Sequence, residues 1–496
     1  MAQQFEILFL LPLFLFPLIF FIFKIFKKSS KITQLPPGPT PWPVIGNIFQ
    51  IGKMPHITLT NFAKTYGPLI SLRLGTQCLV VGSSPSVAIE IFKTHDRILS
   101  GRHVPNAVRS KGSDLEKTSL GWKSECDSGW RYLRTLCRTD LFAGKVLESQ
   151  ACLREKKVME LVEFLRSKEG QVVNIGELVF ATVLNMLSNV LISKDMIHLE
   201  EETEDSEIKS LVRGIVEVGS APNISDFYPI LGKLDLQGLR KKSTDLVTKF
   251  CSIWEPIIEE RRNSRENDSS SQQDFLETLL DNGFTNDHIN QLFMELLSAG
   301  SDTSTTAIEW AMAELIKNVE TMKKVQEELE IELSESDYLK ESQVLQMSYV
   351  QACVKEAFRL HPPAPLLLPH RAIETCQVMS YTIPKGAQIL VNVWAITRDP
   401  FIWEEPDMFR PQRFLSSDMD FKGNDFEFLP FSAGRRMCPG MPMAAIQVPL
   451  VLASLVHFFD WELPHGKCLI ELDMTEKFGI TLQKKEPLLL IPKARK

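Results

Sequence analysis

The stretch Phe431-Ser-Ala-Gly434-Arg-Arg436-Met-Cys438-Pro-Gly440 sets one cysteine in a glycine-flanked loop beside an arginine. A thiol in apolar surroundings stays protonated unless positive charge or N–H donors stabilise the thiolate. Glycine reaches backbone angles closed to other residues, so Gly434 and Gly440 are expected to turn the loop tightly and aim N–H groups at the sulfur. A thiolate so held suits the proximal ligation of a haem iron, where it pushes electron density onto the metal and favours O–O cleavage. Arg436 is placed to donate charge-assisted hydrogen bonds to a haem propionate. Phe431, which opens the pattern, is expected at the cofactor with it. An ordinary buried cysteine beside a turn is the competing reading. It suits a lone cysteine better than five patterned positions within one short loop.

The spacing F-x-x-G-x-R-x-C-x-G resembles the cysteine signature of the cytochrome P450 family, and the chain resembles that family from end to end. The resemblance implies a mainly α fold with small β-sheets. It places haem b between a long central helix and the cysteine loop, with Cys438 as the axial ligand of the iron. It also implies electrons that come from NADPH indirectly, through an NADPH–cytochrome P450 reductase.

Composition agrees with a large enzyme. The 496 residues are 44% hydrophobic, ample for a sizeable core, and length is only a soft guide to domain number. A net charge of −7 argues against a nucleic-acid partner, which needs a basic face. Nine scattered cysteines without a C-x-x-C pair argue against a disulfide framework or a zinc site, and point to a reducing compartment.

Residues 1–23 are expected to be a transmembrane anchor. Ile7 to Phe23 is unbroken apolar sequence, and from Phe5 onward only Glu6 is charged. At about 1.5 Å per residue such a helix reaches across a hydrocarbon core of about 30 Å. Pro12 and Pro17 would kink it without forbidding insertion. A cleaved signal would need a basic start and a small-residue cleavage site, and neither is present. Lys24, Lys27, Lys28 and Lys31 follow the run instead, which keeps residues 44–496 on the cytosolic side as one haem-thiolate catalytic domain. In between, residues 24–43 read as a basic stop-transfer segment and a stiff hinge, Pro36-Pro-Gly38-Pro39 with Pro41 and Pro43. The implied location is the endoplasmic reticulum membrane, spanned once.

A helix is expected from about Thr285 to Asn318, because Ile289, Leu292, Phe293, Leu296, Leu297 and Gly300 recur at three and four residues. It carries Ala299-Gly300-Ser301-Asp302-Thr303. Gly300 permits close approach of backbone to a ligand, Thr303 offers a hydroxyl, and Asp302 a carboxylate that can feed protons. Oxygen activation consumes protons, so an acid–alcohol pair beside a helix defect is apt. Softening of a helix is the plainer reading of the same residues. Glu356 and Arg359 lie three apart and share a helix face. The resemblance adds Arg413 to them as a buried structural triad. It also assigns propionate contacts to Trp130, Arg134 and His370. Short strands are expected near Leu69–Leu74, Leu79–Gly82 and Gln388–Asn392, and an apolar helix from Gly440 to Phe459, kinked at Pro449.

The anchor, the hinge and the Leu-His-Pro-Pro-Ala-Pro stretch from Leu360 resemble plant microsomal members. Ser100–Arg109 and Thr475–Gln483 look most like the alkaloid branch. Within it the first expectation is a littorine-mutase-type rearrangement in tropane alkaloid synthesis. The alternatives are a benzylisoquinoline hydroxylase or aryl-coupling enzyme, and a geraniol-type terpene hydroxylase. Glu295, one turn before Ala299, is expected to face the substrate and bind an amine, with Ala299 and Leu366 beside it. Asp114 and Glu116 are weaker candidates. A non-catalytic haem protein would need no Asp302-Thr303 pair and no anchor, and a hydroperoxide isomerase typically departs from that pair.

Overall fold

The computed structural model describes residues 34–109, 115–200, 207–266, 274–333, 339–466 and 468–495. The expected anchor, the lysines after it and Asp114 lie outside the described residues.

A bundle of helices surrounds one long central helix, with small sheets at the side. The elements that position the site are β1 (Leu69–Leu74), β2 (Gln77–Gly82), β3 (Gly101–Arg102), α1 (Ser128–Asp140), α2 (Ile175–Ile192), α3 (Glu207–Ser220), α4 (Leu239–Glu266), α5 (Asn286–Lys317), α6 (Ser348–Leu360), β4 (His370–Arg371), β5 (Gln388–Val391) and α7 (Met441–Phe458). Helix α5 packs against α2, α3, α4, α6 and α7. Thr285 caps its start, its hydroxyl accepting from the His288 N–H, and Asp287 in the first turn suits the positive end of the helix. Both expected ends of this helix fall within a residue of those found, because the apolar stripe and the cap are local signals.

Helices α2 and α7 are apolar enough to cross a membrane by length and composition, but 94% and 67% of their apolar windows are buried inside the protein. They are core helices, and each fully buried Leu or Val contributes roughly 1.5–3 kcal/mol. Pro449 sits inside α7, which begins at Gly440 as its cap.

The main sheet runs β1-β2-β5-β4-β3. Strands β2 and β5 pair in parallel with Leu79 opposite Gln388, and β3 pairs antiparallel with β4 so that Arg102 faces His370. The proline segment does not stand off as a free spacer. The Ser71 N–H of β1 donates to the Pro37 carbonyl at 2.9 Å and the Ser71 hydroxyl to that of Pro36 at 2.5 Å. A Cβ on Gly38 would lie 2.0 Å from the Ser71 carbonyl oxygen, so glycine is needed for that approach.

Candidate active site

The cysteine loop closes through backbone. The Cys438 N–H donates to the Phe431 carbonyl at 3.0 Å, and Gly434–Arg436 make a 3₁₀ turn between them. Gly434 has φ +68°, and a Cβ there would lie 2.6 Å from both Asp96 Oδ1 and the Phe92 carbonyl. Gly440 departs from expectation: its φ of −82° is open to any residue. What it supplies is its N–H, which with that of Met441 points from the start of α7 at the Cys438 sulfur. Burial pushes the Cys438 thiol up, and the Gly440 N–H, the Arg134 guanidinium and the Met441 N–H oppose it. The residue carries exposed surface although protein encloses it, because its free side lines a cavity.

That cavity measures about 300 Å³ of space open to the centre of a water molecule, between α5 and the cysteine loop. Three guanidiniums line it: Arg102, Arg134 and Arg436. They hydrogen-bond to backbone carbonyls, and Arg436 also meets the Cys126 side chain. Arg102 reaches Gly121 at 3.2 Å and Leu368 at 3.0 Å; Arg436 reaches Ser100 at 3.0 Å and Lys123 at 2.7 Å; Arg134 reaches Met437. Arg436 Nη1 is buried with no partner. Burial and the repulsion of Arg436 bring Arg102 down to about 9. Three enclosed cations without a bonded carboxylate call for an anion, and the two propionates of haem match that demand. Among the described residues no group of three His, Cys, Asp or Glu could hold a bare metal ion.

Arg102 is the residue that sequence reasoning missed here. It lies in a two-residue strand, and its place becomes evident only through its register with His370. His370 is buried and held well below the ordinary histidine range by burial and by Arg102, and its Nδ1 pairs with the Leu99 carbonyl at 2.8 Å. Trp130 is corrected in role. Its indole N–H is already taken by the Leu120 carbonyl at 2.8 Å, while Arg436 and Arg134 stand over its ring at 4.6 and 5.3 Å. Its face offsets the mutual repulsion of two arginines rather than its N–H meeting a propionate. Phe431 lines the cavity and packs on Phe358 and Phe421, each at 5.3 Å.

Behind the loop, Glu356, Arg359 and Arg413 meet in the core. Arg359 donates to both Glu356 oxygens at 2.8 and 2.9 Å, and Arg413 Nε donates at 3.1 Å. The remaining Arg359 donors bind the carbonyls of Thr397, Pro406 and Met408.

On the opposite wall Ala299, Asp302 and Thr303 line the cavity. The Thr303 hydroxyl donates to the Ala299 carbonyl at 2.6 Å. Asp302 is buried, and burial raises its carboxyl above the ordinary range. Gly300 is explained by helix packing: a Cβ there would lie 2.8 Å from Leu187 Cδ1 of α2. Leu366 belongs to the cluster of Leu59, Ile70 and Leu72, and its neighbours Leu367 and Leu368 line the cavity instead. Glu116 does not line it and accepts from the Ser124 hydroxyl at 2.7 Å.

Glu295 is at the cavity wall as expected, but its carboxylate is committed. It accepts from the Ser119 hydroxyl, from the Leu120 N–H at 2.8 Å, from the Gly121 N–H at 2.9 Å and from the Gln291 amide at 2.8 Å. Those four donors match the lone-pair capacity of a carboxylate, so the amine-binding expectation is withdrawn. The loop 119–121 is thereby tied at its N–H groups to α5, and at its carbonyls to Trp130 and Arg102.

The family model described as Cytochrome P450 matches residues 36–491. The chain is 48% identical to a probable (S)-N-methylcoclaurine 3′-hydroxylase isozyme 2 of Coptis japonica, over 97% of both chains. It is 47% identical to the (S)-N-methylcoclaurine 3′-hydroxylase isozyme 1 of Papaver somniferum, over 96% of this chain and 98% of that one. It is also 47% identical to corytuberine synthase of Coptis japonica, over 97% and 98%.

Proposed function

The chain belongs to the cytochrome P450 family of haem monooxygenases, and we propose that within it this enzyme oxidises a benzylisoquinoline alkaloid. The observation that carries this reading is near-full-length identity of almost one half to N-methylcoclaurine hydroxylases and to corytuberine synthase. It favours the benzylisoquinoline alternative over the tropane rearrangement expected first. Ring hydroxylation is the leading reaction and aryl coupling the second.

Bound haem supplies the oxygen activation. Cys438 would be the residue that ligates its iron, with its thiolate favoured by the N–H groups of Gly440 and Met441 and by the charge of Arg134. Arg102, Arg134 and Arg436 would hold its propionates, with His370 beside Arg102. The alkaloid occupies the cavity against Leu120, Ala299, Leu367 and Ile480. Leu120 keeps its place because Glu295 and Trp130 grip its peptide unit from both sides. Thr303 lines the cavity, and Asp302 beside it is a carboxyl that burial shifts towards its neutral form. Electrons come from an NADPH–cytochrome P450 reductase. Residues 1–23 anchor the enzyme in the endoplasmic reticulum, with 24–43 as the connection and 44–496 as the cytosolic catalytic domain.

The test is product analysis. Full-length enzyme, reductase and NADPH are given (S)-N-methylcoclaurine, littorine and geraniol in separate reactions. A hydroxylated or coupled benzylisoquinoline is expected. Conversion of littorine or geraniol alone would overturn the substrate assignment.

A further inference from the structure

Among the described residues no hydrogen bond joins Thr303 to Asp302, since the Thr303 hydroxyl is turned back to the Ala299 carbonyl. The hydroxyl that does touch Asp302 belongs to Thr481. Thr481 Oγ1 donates to Asp302 Oδ2, and Gln483 Nε2 donates to Oδ1 at 2.8 Å. Thr481 and Asp302 are both buried, and both line the cavity. The residue after Thr481 is pinned at both its N–H and its carbonyl. The Leu482 N–H donates to the Pro363 carbonyl at 2.8 Å, and the Trp310 indole donates to the Leu482 carbonyl at 2.8 Å.

We propose that Thr481 is the hydroxyl that passes the Asp302 proton into the cavity, with Gln483 as the positioning residue for that carboxyl. The proposal rests on membership of the monooxygenase family and not on the choice of alkaloid. When Asp302 is ionised, Thr481 donates to it. When Asp302 is protonated the contact reverses, and the Thr481 O–H is free to point into the cavity. The transfer then moves the Thr481 proton to an acceptor in the cavity, as the Asp302 proton replaces it on Oγ1. One O–H bond breaks and one forms at Thr481, Asp302 is left as carboxylate, and no electrons move. The other charged groups facing Asp302 are Arg213 from α3, Lys477 from the C-terminal segment and Glu309 on its own helix. Arg213 is partly exposed and is ion-paired with Glu177 at 3.1 Å.

The experiment uses haem-loaded, full-length enzyme with its reductase. Thr481→Val keeps the shape and removes the hydroxyl, and Thr481→Ser keeps the hydroxyl. Only variants with an unchanged thiolate-type CO band are compared. The first readout is peroxide released per NADPH consumed, across pH and without substrate, so that it stands whether or not the alkaloid assignment holds. Loss of a positioned acid–base group costs about a hundredfold or more in proton transfer, so Thr481→Val is expected to divert about tenfold more of the NADPH to peroxide, with Thr481→Ser close to wild type. The second readout does not involve turnover. The infrared C=O stretch of the protonated Asp302 carboxyl, identified by its loss in Asp302→Asn, is expected to shift and to titrate at a different pH in Thr481→Val, but to stay in place in Thr303→Val. Wild-type peroxide yield and an unmoved Asp302 band in Thr481→Val would overturn the proposal, as would a band that moves in Thr303→Val instead.

Discussion

Two enclosed glutamates, one on each side of the cavity, are stabilised in opposite ways. Glu356, behind the cysteine loop, is ion-paired: Arg359 grips both oxygens, Arg413 adds a third bond, and the Arg410 N–H adds another at 2.8 Å. Glu295, on the substrate side, is held by a hydroxyl, two backbone N–H groups and an amide, with no cation among its hydrogen-bond partners. The first arrangement costs desolvation of several charges and returns a rigid brace for the haem side. The second leaves a single carboxyl whose protonation burial favours, so the loop it holds is tied by a group that can titrate. The first wall is permanent in that guanidiniums hold it, and the second is responsive in that burial favours the neutral form of its carboxyl.

The largest expected effect comes from breaking the permanent wall. Arg359→Ala takes from buried Glu356 the partner that holds both its oxygens, leaving Arg413 as its one remaining ion-pair partner, and is expected to cost about 3–5 kcal/mol, read by denaturant unfolding of the full-length protein. Arg359→Lys is expected to recover little of it, because an ammonium cannot reproduce the fork to both oxygens. Next comes Arg436→Ala, which removes the guanidinium that, among the three lining the cavity, has a nitrogen buried without a partner. Haem loss to an acceptor apoprotein should speed up by roughly tenfold to a hundredfold, the range for removing a supporting partner of a bound metal group.

The responsive wall gives a smaller effect with a distinctive pH signature. Burial raises the Glu295 carboxyl above its ordinary 4.5, against the Ser119 hydroxyl, the Gly121 N–H, the Gln291 amide and the Leu120 N–H. The folded protein therefore binds this proton more tightly than the unfolded chain does. That contribution to stability is full below 4.5 and is lost as pH rises through the folded-state value. Glu295→Gln is expected to cost about 1–3 kcal/mol, through donors left unsatisfied, and to flatten this slope in a series of melting temperatures against pH. An unchanged slope would show that both walls are permanent and dissolve the contrast. The smallest effect is Gly300→Ala. The added methyl presses on the flexible end of Leu187, while helix propensity gains roughly 1 kcal/mol. Net stability should move by about 1 kcal/mol or less, with no change in the haem spectrum.

Much of the permanent side was legible in the sequence because its spacings are short and fixed, while Arg413, 57 residues from Glu356, came from the family resemblance. Glu356 and Arg359 are one helix turn apart, and the cysteine loop is ten residues long. The central helix was legible for the same reason, since periodicity and a threonine cap are local. The responsive side was not. Glu295 was correctly put at the cavity wall by its place on the stripe, but three of its donors come from Ser119 to Gly121, and two of those are backbone. Arg102 escaped because a two-residue strand has no pattern of its own, and Leu366 was one residue away from the cavity-lining Leu367. Thr481 lies far along the chain from Asp302, and no spacing links them.

The most direct test of the account is the reduced CO-difference spectrum of the purified full-length protein, followed by a titration with (S)-N-methylcoclaurine. A thiolate-type band that Cys438→Ser abolishes, and a substrate-induced shift of the haem band towards high spin, are predicted. A folded, haem-containing protein without the thiolate band would contradict the role of Cys438 and the site built around it.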